Sequence, residues 1–509
     1  MCIPLLYGKT DKKMRNDMKR ILKLIKSTGW FALVVMSFVE SIWLLFAPVT
    51  RPGLEQLWVL PLVLGICFLV FRKVFSYKEG TLGIKVYYFL AIVRYMVQPL
   101  LIVLSNGEVS STRMSSVEAE YYRVALIIES LEIIIVSATI NHYYPKCLNK
   151  FMQRRNVPKL ESNYYGGDGA SIDLGIKHLG WLIIGGYAFV LLVRANIWLP
   201  ALNIYGLKED ADAVVILENT LFSCLKTILF IYCLYRAVYA YRNKSNFGIW
   251  MLLTLISAVF SILTYFGDNR SFTVETIVAI VAILLIWFPK YKGIIFAVII
   301  PVSIMMVLTM IVTKQFGVED IAFYTGEGAS IQYISNQLEE YTNGPWCIAQ
   351  SYKSSVGLTA EQSFQAVVKD ITDGLIVIFE LPGLKGINEF ASTWMSSSDI
   401  MKMSFQSFDR GQMLSFSGGY FICFGNLGWI IFPIATIICS MLITWFSVHG
   451  SYEKSLLKQY MYLWSAFLFG LMHCYCTQTL IYCMAKYVLF LWIIIIGNKF
   501  RIGRASSLT

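Results

Sequence analysis

FGIWMLLTLISAVFSILTYFGDNRSFTVETIVAIVAILLIWF, residues Phe247–Phe288, decides what kind of chain this is. Two apolar runs approach the roughly 20 residues that cross a hydrocarbon core. They meet at FGDNRSFT, Phe266–Thr273, which holds an Asp-Asn-Arg. In lipid a backbone finds partners only in its own helix, so the stretch reads as a helical hairpin in a membrane. Asp268 and Arg270 then lie at its tip.

The rest of the chain repeats that pattern. It has 509 residues, 57% of them hydrophobic and only 15% charged. Soluble domains are nearer a quarter charged. Mean hydropathy is +0.60. About twelve spans follow from apolar run length. They cover approximately 29–48, 57–75, 83–104, 121–142, 178–200, 214–239, 247–266, 272–288, 293–313, 417–446, 459–473 and 477–498. The last pair is either one bent helix or two short ones broken near HCYCTQ, residues 473–478. The expected fold class is an all-α polytopic membrane protein.

The net charge of +11 is spread over termini and short loops rather than gathered in one patch, so nucleic acid is not the expected partner. Lys and Arg favour one side: RKVFSYK, the 143–177 loop, YRNKSN, PKYKG, YEKSLLK and NKFRIGR. That bias puts this side, and both termini, in the cytoplasm of a cytoplasmic (inner) membrane. No small-residue cleavage site follows KKMRNDMKRILKLIK, residues 12–26, so the first span reads as a retained anchor. The expected organisation is a basic N-terminal segment, 1–28, and a first bundle of about nine spans, 29–313. A large extracytoplasmic loop follows, 314–415, then C-terminal spans, 416–498, and a tail, 499–509. SIQYISNQLEEY and QSFQAVVKDITDGLIVIFELPGL place apolar residues at helical spacing, predicting short helices on the membrane's outer face. Of eleven cysteines only Cys347 falls in that loop, which excludes a disulfide framework there.

Several polar residues sit where they cost free energy. Arg94 lies mid-span in AIVRYMVQP, Arg194 in the outer part of a span, and Glu129 and Glu132 within IIESLEIII. Charges in spans face protein or water, and an ion pair of Arg94 with Glu129 or Glu132 is the structural expectation. Arg270 heads one span, and Arg410 sits in DRGQMLSFSGGY where the long loop re-enters the membrane. Either can be an interfacial arginine at a turn. Either can also recognise phosphate with a planar, permanently charged fork. His473, alone among four histidines, falls on the outer side, where imidazole suits a general base. Zinc held by His473, Cys474 and Cys476 would need a fourth ligand. No Walker A and no HExxH sequence is present, which removes ATP-driven pumping by this chain and zinc proteolysis. The first outer loop, PVTRPGLEQ, has no acidic pair of the kind many lipid-phosphate-sugar transferases carry there.

Three segments, in order, resemble the Wzy-type oligosaccharide repeat-unit polymerases of O-antigen and capsule synthesis. They are YTNGPWCIAQS (341–351), FSGGYFICFGNLGWIIFPI (416–434) and the arginine-headed FGDNRSFTVETIVAIVAILL. The resemblance of plan covers most of the chain, and the motifs about a tenth of it. It implies a fold like the C-type membrane glycosyltransferases, with no metal or other cofactor. It implies transfer of an undecaprenyl-diphosphate-linked oligosaccharide onto another carrier-linked repeat unit, with a flippase and a chain-length regulator as possible partners. Under it, Arg270 and Arg410, with Arg194 or Arg94, would face the departing diphosphate. Asp268, Asp409 or His473 would orient or deprotonate the acceptor. Tyr341, Asn343, Trp346, Gln412 and Tyr420 would face sugar, although Asn-Gly-Pro is also ordinary turn chemistry. A glycan ligase of the same topology and a flippase are the competing readings.

Overall fold

The computed structural model describes residues 29–49, 51–76, 80–105, 117–154, 172–193, 213–264, 270–315, 331–379, 384–404 and 414–500. Among them the chain is all-helical, and helix fills each apolar stretch of the sequence. The first helices are α1 (Gly29–Phe46), α2 (Val59–Val70), α3 (Leu82–Leu104), α4 (Ala119–Arg154) and α5 (Leu179–Val193). Then come α6 (Ala213–Asn243), α7 (Phe247–Leu263), α8 (Arg270–Trp287) and α9 (Lys292–Gln315). Among the shorter helices that follow are α10 (Ile331–Tyr341), α11 (Pro345–Ser355), α12 (Ala360–Gly374) and α13 (Ser397–Ser404). The chain ends in α14 (Phe416–Phe424), α15 (Gly428–Tyr452), α16 (Leu456–Gly470) and α17 (Thr477–Gly497). Among the described residues seven stretches are long and apolar enough to cross a membrane: α1, α3, α4, α6, α9, α14 with α15, and α17. Four more, within α2, α5, α7 and α8, are apolar but shorter.

The centre is α16. Its sequence, LLKQYMYLWSAFLFG, is apolar or aromatic around nearly the whole circumference, and such a helix belongs inside. It packs against α15, α3, α8 and α6, while α4 lies along α15 and α2. Close approach of α3 depends on small residues: a Cβ on Gly83 would collide with the Ala466 carbonyl, and Gly470 abuts the Gly83 carbonyl. Small residues let backbones pack where lipid offers no hydrophobic drive between helices. The helices α6 to α9 form a neighbouring group joined to α16 through α8. The end pair is two helices, separated by the 3₁₀ turn Met472–Cys474.

One staple joins distant parts. Asp173 and Leu174 pair with the short link between α15 and α16, through Leu456 N to Asp173 O at 2.9 Å. The Asn498 side chain, at the end of α17, accepts from Lys177 N at 2.7 Å and donates to Gly175 O.

The described residues between α9 and α14 are mostly helical, as their periodicity predicts, but they do not all lie on a face. Residues Pro345–Ser351 of α11 are buried, wedged between α4 and α14. PWCIA offers little polar side chain for a surface, and its first backbone N–H, that of Trp346, meets a carboxylate inside. By contrast α12 keeps an amphipathic surface position and begins with a Thr359–Gln362 capping box. Its Asp370 accepts from Ser397 N at 3.0 Å and from the Ser397 hydroxyl, tying α13 to α12.

Burial pushes the Asp370 carboxyl up from its ordinary 3.8 to about 6, against the lowering effect of the Ser397 hydrogen bonds. The folded state therefore holds this proton more tightly than the unfolded chain. Stability from this group is greatest below pH 3.8 and is lost as pH rises to about 6. The difference corresponds to about 3 kcal/mol at most. Asp370→Asn keeps an acceptor and removes the proton, so melting temperature plotted against pH should be flatter between pH 4 and 6 in the variant than in wild type.

Candidate functional site

Four ionisable side chains from three elements meet inside the bundle, none more than 1% exposed: Arg94, Glu129, Glu132 and His473. Arg94 sits in a π turn of α3, Val93–Val97. The extra residue of a π turn re-aims side chains, and such turns concentrate at functional sites. Glu129 and Glu132 are three residues apart, so α4 presents both on one face. His473 is held by the 3₁₀ turn between α16 and α17.

The geometry is tight. Arg94 Nε donates to Glu129 Oε1 at 2.9 Å. Arg94 Nη1 lies 3.5 Å from Glu132 Oε1, and His473 Nδ1 lies 2.5 Å from the same oxygen. Nη1 and Nδ1 are 2.7 Å apart. The Tyr87 ring stacks on the imidazole at 4.2 Å, and Tyr95 OH donates to Glu129 O at 2.8 Å. His473 Nε2, Arg94 Nη2 and Glu129 Oε2 are buried with no hydrogen-bond partner among the described residues. Buried polar atoms without partners are uncommon and mark places where a polar ligand can be taken.

The segment carrying α10 and α11 closes over this centre. Asn343, in the left-handed region at φ +50°, donates from Nδ2 to His473 O at 2.9 Å. Thr342 Oγ1 donates to Gln98 Oε1 at 2.9 Å. Gly344 lies so close to the Gln98 amide that a Cβ would overlap it. A second buried ion pair holds the segment down: Arg51 Nη1 donates to both oxygens of Glu339, at 3.1 and 3.0 Å. Glu339 Oε1 also accepts from Trp346 N at 2.9 Å, at the first turn of α11, where helix N–H groups favour an anion.

An apolar cavity of about 410 Å³ lies beside α17. Phe416, Tyr420, Thr477, Leu480, Met484 and Trp492 are among its walls. From Thr477 to Trp492 it follows about 22 Å of helix. Thr477 Oγ1 donates to Tyr420 OH at 3.0 Å at one end.

Of the residues the sequence singles out, Arg94, His473 and Asn343 come together. The ion-pair expectation for Arg94 is met by both carboxylates. Trp346 is fully buried, Tyr341 is half-exposed at the end of α10, and Tyr420 lines the cavity instead. Arg194, Asp268, Asp409, Arg410 and Gln412 lie outside the described residues, and so does the side chain of Arg270, whose backbone opens α8. Among the described residues no group of three His, Cys, Asp or Glu is arranged to hold a metal ion. His473 Nδ1 is engaged by Glu132, and Cys476 Sγ meets Thr479 Oγ1 at 3.2 Å. The sequence reading left out Arg51 and Glu339, and Glu132 as a partner of His473. The signal for Arg51 is an arginine beside Pro52 in a loop short enough to sit at a helix end.

Comparison with family models, with curated proteins and with solved structures returns no match in any of the three.

Removing the guanidinium leaves two carboxylates buried without their cation, a loss that typically costs ~3–5 kcal/mol. Arg94→Ala should therefore reduce the amount of protein in membranes. Arg94→Ala combined with Glu129→Gln should recover part of it. A quantitative blot of membrane fractions checks both.

Proposed function

We propose that this chain is a membrane glycosyltransferase that polymerises oligosaccharide repeat units carried on a lipid diphosphate, working at the outer face of a bacterial cytoplasmic membrane. One observation carries the reading. The segment that resembles the polymerase family, Tyr341–Ser351, folds onto the buried charged centre and contacts His473 directly through Asn343. The apolar cavity along α17 adds support, since its walls suit a long hydrocarbon chain.

In this reading about twelve spans, arranged like a C-type glycosyltransferase, hold the lipid-linked donor and the acceptor. The sugar–diphosphate bond is already activated, so no nucleotide sugar enters. As it breaks, negative charge grows on the leaving diphosphate. Arg270 and Arg410, assisted by Arg194, supply fixed donors to that charge, which acts most strongly where water is scarce. Tyr341 and Gln412 contact sugar. A glycan ligase shares these requirements, but it gives a single transfer rather than a ladder of lengths. The complete burial of Arg94, Glu129 and Glu132 is also a feature of transporters, and it favours a lipid-glycan flippase as the second reading.

Two measurements test this. Cells carrying Arg270→Ala or Arg410→Ala should insert normal amounts of protein. They should accumulate single lipid-linked repeats on the outer face and show no longer chains, since losing one donor to a developing anion costs ~10²–10³ in rate. A normal ladder in both variants rejects the clamp, and single repeats confined to the inner face favour the flippase. For orientation, cysteines introduced at Gly326 and Gln362 should label from outside intact cells, and cysteines within 153–156 should not.

A further inference from the structure

The cavity beside α17 lies among helices long and apolar enough to cross a membrane, α14 with α15 and α17 itself. Its walls are almost wholly apolar, with Leu480, Met484, Val488 and Trp492 supplied by α17. Cavities of that kind do not take up water. Kept void, 410 Å³ would forfeit about as much as a domain's whole stability. The surrounding medium is hydrocarbon, so hydrocarbon is what fills it.

Size sets how much. A void of ~150 Å³ takes up one benzene, ~25 Å³ for each carbon. At that ratio 410 Å³ holds ~16 carbons. The lining follows about 22 Å of α17, from Thr477 to Trp492. A bilayer chain fills ~15 Å, half of a ~30 Å core. The space is therefore about as long as one acyl chain drawn out straight, and it holds about one chain's carbons. A polyprenyl chain would leave most of its length outside, whereas an acyl chain fits whole.

The two ends differ. At one end Thr477 Oγ1 donates to Tyr420 OH at 3.0 Å, and Gln478 Nε2 donates to Asp373 Oδ2 at 3.2 Å. Lys369 Nζ lies 2.9 Å from Asp373 Oδ1, and both side chains are partly exposed. An ammonium has three donors, so Lys369 can hold a phosphate oxygen and keep Asp373. At the other end the lining is Leu489 and Trp492. The surface helix α12 closes one side. Its Gly374 lies so close to α17 that a Cβ would collide with Ile481, and Leu375 and Ile378, just beyond, line the cavity.

We propose that this cavity is a resident-lipid site, which takes one acyl chain of a bilayer phospholipid and seats the phosphate at Lys369. The site does not depend on the transferase reading. A lipid-linked substrate using the same walls must first displace this chain, so phospholipid competes with it.

Full-length protein, washed in detergent, is incubated with vesicles of phosphatidylethanolamine whose chains run from shorter to longer than ~16 carbons. Native mass spectrometry reads which lipid stays bound. Wild type should retain one phospholipid and favour chains of ~16 carbons. Ala485→Phe puts a ring into the cavity and should retain at least ~10-fold less. Lys369→Ala should weaken retention without changing the preferred length. Trp492→Ala extends the space and should move the preference to longer chains. Equal retention by Ala485→Phe, or no length preference in wild type, overturns the proposal. So does wild type isolated with a polyprenyl phosphate bound and no phospholipid. Should Ala485→Phe not accumulate, Trp492→Ala decides: a wild-type length preference overturns the proposal, and a shift to longer chains supports it.

Discussion

A guanidinium in the middle of a membrane bundle must be neutralised before anything else there can settle. Arg94 meets that requirement with carboxylates from α4, and it also bonds an imidazole from the turn after α16. Three elements are thereby fixed relative to one another. Small residues at Gly83, Ala466 and Gly470 bring α3 close to α16, and the ion cluster sets which faces meet. Apolar packing alone specifies little inside lipid, because a leucine gains almost nothing by exchanging lipid tails for another helix. Charge supplies the specificity that the hydrophobic effect supplies in water.

The same requirement explains why part of the segment between α9 and α14 lies inside. Glu339 is paired with Arg51 from the link between α1 and α2 and accepts from the first turn of α11. With Asn343 on the His473 carbonyl and Thr342 on Gln98, the segment is held by polar anchors in an otherwise apolar setting. It closes the bundle as a plug, and its surface helices α12 and α13 extend from that plug.

Much of this architecture was legible in the sequence. Apolar run length locates the helices, and the cost of an intramembrane arginine points to Glu129 and Glu132. The partners of His473 were not legible. Arg94 and His473 are 379 residues apart, and the spans are apolar on most faces, so no periodicity shows which side points inward. Arg51 and Glu339, 288 residues apart, were hidden for the same reason. The burial of α11 was missed because Asn-Gly-Pro signals a turn without saying whether the turn faces water. The Asp-Asn-Arg of the 266–273 turn marks a helix boundary correctly, since α8 begins at Arg270.

The staple made by Asn498 bears on how the chain is assembled during synthesis. Lys177 and Gly175 are more than 320 residues upstream of the side chain that clamps them. The link that leads into α5 therefore waits, without its final partner, until nearly the whole chain has left the ribosome. The pairing of Asp173 with Leu456 is delayed almost as long. A ribosome that stops short of Asn498 releases a chain whose helices are all but complete and whose middle is unfastened.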